Sequence, residues 1–183
     1  MNKKPLKITG AEIRRPPATA PAAAAAQVVA PAAPPLEIAV ALENPADHPR
    51  HVWSAPRSYG YDAASGVLAL YLTEHTPPPP PGIQIISDHP RIPPQVVIDA
   101  HGRLTLKVAL PPTIRRQVPG SGLGMSYVEE PIGRVSRVEL HIQSAAGPIE
   151  PSRGGESPEQ FRQRLRQHGE VARATITFTE PKE

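Results

Sequence analysis

The residues best suited to metal binding or acid/base chemistry lie in a short motif that occurs twice. Asp47-His48-Pro49-Arg50 is repeated as Asp88-His89-Pro90-Arg91, and a further histidine follows the first copy. Imidazole and carboxylate groups both bind zinc and iron, so two copies brought together would form a divalent-metal site. The candidate ligands are Asp47, His48, His51, Asp88 and His89.

The same motif is also typical of an ordinary turn. His48 and His51 are spaced to share a face only on a helix, and Pro49 between them breaks a helix. Aspartate and proline are common turn residues. The sequence therefore favours a turn and predicts no cofactor, while a small metal-dependent or acid/base enzyme built on the two copies remains an alternative.

Motifs for phosphate binding and nucleophilic catalysis are missing from the sequence. Gly122 and Gly124 lie in a glycine-rich stretch at 119–126, but no lysine and no helix signal follow, as a nucleotide-binding loop requires. There is no G-x-S-x-G elbow, and the chain has no cysteine. We therefore expect a protein that is not an enzyme, whose glycine-rich loop can contact a partner.

Two further groups of side chains are candidates for binding a partner. Arg162 and Arg166 lie one turn apart on a predicted helix and would suit an acidic partner or phosphates. Trp53, Tyr59 and Tyr61 are aromatic, and the two tyrosines are spaced to share one face of a strand. Packing in the core is the favoured interpretation for the aromatic residues, and a solvated helix face for the arginines.

Charge and hydropathy limit the classes of partner. The formal net charge is +3, and the basic excess lies before residue 16, so the rest of the chain gives no electrostatic case for nucleic acid. A weak nucleic-acid or anionic-surface binder, using the basic N-terminus and the Arg162/Arg166 face, is a second alternative. No run of about 18 apolar residues is present, so no membrane span is expected.

The predicted location is the cytoplasm. The absence of cysteine is compatible with it. Arg14-Arg15 before an alanine-rich stretch faintly resembles a twin-arginine signal, but Pro16 and Pro17 follow the arginines at once, which argues against export.

The chain divides into a tail and one domain. Residues 16–35 are nearly all alanine and proline, and such a segment cannot bury enough surface to offset the entropy of ordering its backbone. We therefore predict a disordered tail over 1–35, with a basic N-terminus, and a single domain over 36–183.

Period-two alternation predicts that the domain is mainly β. The pattern begins at Leu36, and the 26 prolines argue against a helical bundle. Hairpins are predicted over 57–74 and 95–110. One short helix, about 158–168, is indicated by Ser157 as N-cap, Gln160 in a capping box and Gly169 as a stop.

Together these patterns predict an antiparallel, immunoglobulin-like β-sandwich of about seven strands, with the helix before the last strand. The expected function is that of a non-catalytic interaction, structural or accessory module whose partner is another protein.

Overall fold

A computed structural model describes residues 4–15, 35–74, 92–119, 125–151 and 154–178 of the chain. These residues form eleven strands and one helix. The mainly β prediction is confirmed, and the prediction of about seven strands is wrong. The strands are β1 (Lys7–Arg14), β2 (Leu36–Glu43), β3 (Arg50–Trp53), β4 (Ser58–Asp62), β5 (Val67–Leu72), β6 (Gln95–Ile98), β7 (Arg103–Leu110), β8 (Thr113–Pro119), β9 (Met125–Pro131), β10 (Arg137–Ala145) and β11 (Glu170–Thr177), and the helix is α1 (Pro158–Gln167).

The first sheet has three antiparallel strands in the order β1-β2-β7. In β2 the predicted alternation is confirmed, with Leu36, Ile38, Val40 and Leu42 buried. The strand β1 corrects the prediction of a disordered tail over 1–35, because it pairs with β2 along its length.

The reason for the ordered β1 is its own apolar pattern. Leu6 is buried, and Ile8 and Ile13 pack against the core, whereas residues 16–35 are mostly alanine and proline. Residues 16–34 of the predicted tail lie outside the described residues.

The second sheet is built around β10. β11 pairs antiparallel along one edge of β10, while the parallel strand β5 and the antiparallel strand β3 share the other edge. β4 extends the sheet beyond β5, and β6 extends it beyond β3. Buried side chains of the two sheets belong to one hydrophobic cluster, so the sheets share a core.

The predicted hairpin over 57–74 is confirmed as β4–β5, but the one over 95–110 is wrong. β6 pairs with β3 and β7 pairs with β2, so the turn between them carries the chain from one sheet to the other. Asn44, which is fully buried, holds this turn by donating from its Nδ2 atom to the carbonyl oxygens of Ile98 and Asp99, at 3.1 and 2.9 Å.

The helix α1 has the predicted caps. Ser157 and Gln160 form a capping box, and Gly169 follows the helix with a φ of 82°. Phe161 and Leu165 are buried. The structure describes no other helix, and α1 is neither long nor apolar enough to cross a membrane.

Gln143 joins α1 to the second sheet. Its side chain is fully buried, and its Nε2 atom donates to the carbonyl oxygens of Leu165 and His168, both at 2.7 Å. Its Oε1 atom accepts from the Thr73 hydroxyl at 2.8 Å and from the Glu74 amide at 3.0 Å. One amide therefore satisfies polar groups from the end of α1 and from the residues after β5.

Gln143→Leu should lower the free energy of unfolding by about 3 kcal/mol or more, because buried donors and acceptors lose their partner at about 1–3 kcal/mol each. Urea unfolding measures the loss. Gln163→Leu, on an exposed position of α1, is the control and should change stability by less than about 0.5 kcal/mol. A loss below about 1 kcal/mol for Gln143→Leu would contradict the role given to this amide.

Gly169→Ala should destabilise the protein by about 3 kcal/mol, since alanine resists a positive φ and overpacking adds to that cost. A Cβ atom at this position would lie 2.0 Å from the backbone oxygen of Ser144. Gly154→Ala is the matched control, because a Cβ atom there meets nothing within 4 Å. Thermal unfolding of both variants makes the comparison, and equal melting temperatures would refute the argument.

Candidate functional site

The first copy of the repeated motif stabilises the fold. The Asp47 carboxylate lies 2.9 Å from Nε2 of His101 and 3.7 Å from Nζ of Lys4. Arg50 is buried, pairs with Glu170 and donates to the Lys4 carbonyl oxygen at 2.6 Å. The acid and the base of the motif are therefore both engaged within the chain.

The proposed metal ligands that the structure describes, Asp47, His48 and His51, form no metal-binding group. His48 is exposed, while His51 is partly buried in β3 opposite Val97. Asp88 and His89 lie outside the described residues. Within the described ranges, no group of three or more histidine, aspartate or glutamate side chains could hold a metal ion.

The aromatic candidates pack inward. Trp53 is fully buried, so a partner cannot reach it in this conformation. Tyr61 is buried and donates its hydroxyl to the Arg134 carbonyl oxygen at 2.8 Å. Tyr59 packs against the core from a partly buried position, and burial raises the pKa of its phenol. These residues stabilise the second sheet.

Of the remaining candidates, the two arginines of α1 share one acid. Arg162 lies 2.9 Å and Arg166 3.7 Å from the Glu159 carboxylate. This carboxylate offsets part of the positive charge that an anionic partner would need. Gly122 and Gly124 lie outside the described residues.

A two-stranded hairpin, β8–β9, was not predicted from the sequence, and we call it the arm. Its strands pair with each other and with no other strand of the described chain. At its base Ile114 is buried and the Ile132 amide donates to the Pro112 carbonyl oxygen at 2.8 Å. Further along, Val128 is 49% exposed. The arm therefore has an anchored base and two unpaired edges.

The register shows which backbone groups the arm presents. The Ile132–Pro112 hydrogen bond makes that pair a hydrogen-bonded one, so the next pair, Thr113 with Pro131, is non-hydrogen-bonded. The N–H and C=O groups of a non-hydrogen-bonded pair point away from the partner strand. By alternation, Arg115 and Glu129 form another such pair, and their backbone groups point outward too. The prolines of the arm, Pro119 and Pro131, lie at such outward positions, where a missing N–H costs the hairpin no hydrogen bond.

An open cleft of about 570 Å³ lies at the base of the arm. One wall is the β4–β5 turn, and the other is the end of β9 with the segment that leads to β10. Its lining is mainly apolar and includes the charged residues Glu130 and Arg134. The lining residues are Tyr61, Ala63, Ala64, Ser65, Gly66, Glu130, Pro131, Gly133, Arg134 and Ser136.

Hydrogen bonds hold the wall that leads to β10. Arg15, just after β1, donates to the carbonyl oxygens of Ile132 and Gly133. Ser136 donates to the Ser65 carbonyl oxygen at 2.9 Å. Gly66, at a φ of 66°, packs so closely that a Cβ atom would lie 2.9 Å from the Ser136 hydroxyl. Contacts between three parts of the sequence therefore shape the cleft.

A second group of titratable residues lies across the strands of the second sheet. The rings of Tyr71 and His141 are 4.8 Å apart, and Arg173 is the register partner of His141 on β11. Burial lowers the pKa of His141, Arg173 lowers it further, and Glu139 opposes them. Burial, with a contribution from Glu139, raises the pKa of Tyr71.

Comparison of the chain with protein-family models, with curated proteins and with solved structures finds no match.

The lowered pKa of His141 predicts a pH-dependent stability. The folded state binds a proton on His141 less readily than the unfolded chain does. The contribution of the neutral imidazole to the free energy of unfolding is therefore fully present above about pH 6.5. It is lost as the pH falls through that value toward the folded pKa. Urea unfolding between pH 7.5 and pH 5 should show a shallower decline in His141→Gln than in the natural chain.

Arg173→Gln tests the electrostatic part of this shift. The decline should become shallower but persist, because burial is the larger cause. Identical pH profiles for the natural chain and for His141→Gln would show that His141 does not carry the effect.

Proposed function

We propose that this chain is a non-catalytic module that contacts another protein through the arm. The single observation that carries the proposal is that the arm consists of two seven-residue strands whose outer edges pair with no other strand of the described chain. An isolated two-stranded hairpin is marginally stable in water, and unpaired strand edges are ready templates for another chain. A partner strand would satisfy these groups.

Surface chemistry along the arm supports a protein as the partner. Val128 is an exposed apolar residue, and Arg115 and Glu129 pair across the strands at 3.2 Å with both side chains more than half exposed. Both signs of charge are thus present on the arm, which does not favour nucleic acid. No observation among the described residues favours the enzyme or the anionic-surface alternative.

Two finer expectations remain proposals. The immunoglobulin-like topology is supported by the core that the two sheets share, but the parallel pairing of β5 with β10 departs from an antiparallel sandwich. The cytoplasmic location rests on the cysteine-free sequence.

Shortening the arm tests the proposed function. In this variant Asn-Gly replaces residues 115–129, which removes most of both strands of the arm. Ile114 and Glu130 are retained as a hydrogen-bonded pair, which a two-residue turn can close. The full chain with this change should keep its melting temperature within about 4 °C, since the removed strands pair with no other strand of the described chain. It should lose the stoichiometric partner that the natural chain captures from an extract of its own cells.

Arg162→Gln with Arg166→Gln is the control, because it leaves the arm intact and should retain the partner. Capture of the same partner, at the same stoichiometry, by the chain with the shortened arm would rule out the arm as the contact surface.

A further inference from the structure

We propose that the outer edge of β9, together with the cleft, binds an extended segment of a partner protein by strand addition. The segment carries a basic side chain beside Glu129 and a small apolar side chain toward the cleft. This inference rests on the proposed function and goes further, because it names the edge, the binding mode and the chemistry of the ligand.

Continuity with the cleft distinguishes β9 from β8. The arm contributes Glu130 and Pro131 to the cleft lining, and both belong to β9. A segment that pairs with β9 therefore ends beside the cleft, whereas no residue of β8 lines it. In strand addition, main-chain hydrogen bonds provide affinity and pockets for side chains provide specificity.

The main chain of β9 sets the register and the length of the added strand. By the alternation that places Pro131 outward, Met125, Tyr127 and Glu129 point their backbone groups away from β8. Pro131 cannot donate, so the ladder ends there, at the mouth of the cleft. The added strand thus forms hydrogen bonds with a short stretch of β9 before it leaves the ladder.

The charge of β9 selects the ligand's side chains. β9 contains Glu129 and Glu130 and no basic residue, whereas β8 contains Arg115 and Arg116. Arg115 flanks Glu129 from β8, but this pair is solvent-exposed and weakly stabilising. A lysine or arginine on the added strand would lie on the other side of Glu129, at the distance of a cross-strand pair.

The cleft favours a small apolar side chain. Ala63, Ala64 and Gly133 leave room for a side chain beside the ring of Tyr61. Glu130 and Arg134 bring one charge of each sign, so the cleft has no net charge to attract an ion. Pairing of β9 with β9 of a second copy is disfavoured, because it would bring two acidic strands together.

Peptide binding to the full chain tests the inference. The probe is an acetylated octapeptide that alternates lysine and valine and ends in alanine-glycine, with a second peptide in which glutamate replaces lysine. NMR should show shifts of the Tyr127 and Glu129 amides with the lysine peptide. Fluorescence anisotropy should show that it binds about two- to fivefold more tightly per lysine than the glutamate peptide.

Two proline variants compare the edges. Glu129→Pro and Arg115→Pro each remove the same cross-strand ion pair, and each removes one outward N–H, on β9 and β8 respectively. Glu129→Pro should weaken binding of the lysine peptide about tenfold relative to Arg115→Pro, through loss of a main-chain hydrogen bond and of the carboxylate that pairs with the peptide's lysine. Equal weakening by the two variants would overturn the choice of β9.

Charge reversal keeps the test decisive if a proline variant fails to fold. Glu129→Lys should exchange the preference, so that the glutamate peptide binds more tightly; an unchanged preference overturns the proposed ligand chemistry. Dimerisation of the free chain through β9, seen by light scattering and by shifts of the same amides, also overturns it. If neither peptide binds but shortening the arm still abolishes partner capture, strand addition is wrong and the proposed function stands.

Discussion

The hydrogen bonds of the buried Gln143 amide hold α1 and the residues after β5 to the second sheet, and the rest of the structure depends on them. A helix ends with carbonyl groups that have no partner within the helix, and burying them unpaired would cost several kcal/mol. Gln143 donates to two of them and accepts from the residues that follow β5. A glutamine can do both, whereas a carboxylate can only accept and a lysine can only donate.

The network continues from Gln143 to the start of β4. Glu74, whose amide bonds to Gln143, holds the Arg57 guanidinium through two bonds of 2.8 Å. This fork geometry is the strongest form of ion pair, and both side chains are mostly buried. The entry of β4, the exit of β5, the centre of the sheet and the end of α1 are therefore fixed relative to one another. The turn after β4, which forms a wall of the cleft, joins the two strands that this network holds together at their other end.

Sequence patterns predicted the parts of the fold that local chemistry controls. The capping box at Ser157 and the glycine stop at Gly169 were found because their signals lie within a few residues, and β2 and β7 because their apolar residues alternate. The pairing of β6 with β3 was missed, because Asp99–Gly102 is a good turn for a hairpin and equally for a crossing between sheets. Only the burial of Asn44, far from the turn in sequence, decides between the two.

The candidate site was the least predictable part for a related reason. β8 and β9 have short, mixed patterns: TIRRQVP and MSYVEEP alternate weakly and carry charges at consecutive positions. Pro111-Pro112 and the glycines near residue 122 indicate where strands end. They do not indicate that β8 and β9 pair only with each other. The cleft depends on contacts between Ser65 and Ser136, a separation that no local pattern reports.

Two edges of the body, β6 and β7, carry features that oppose pairing with another chain. β6 has only four residues and follows Pro93-Pro94, which limits any added ladder. β7 presents Arg103 and Lys107 beside its free edge, charges that oppose pairing with another chain. β9 has seven residues, more than β6, with an exposed valine and its proline placed at the end. A partner strand on β9 would cover both this valine and the backbone groups that have no partner within the described chain, which is why we assign the proposed contact to this edge.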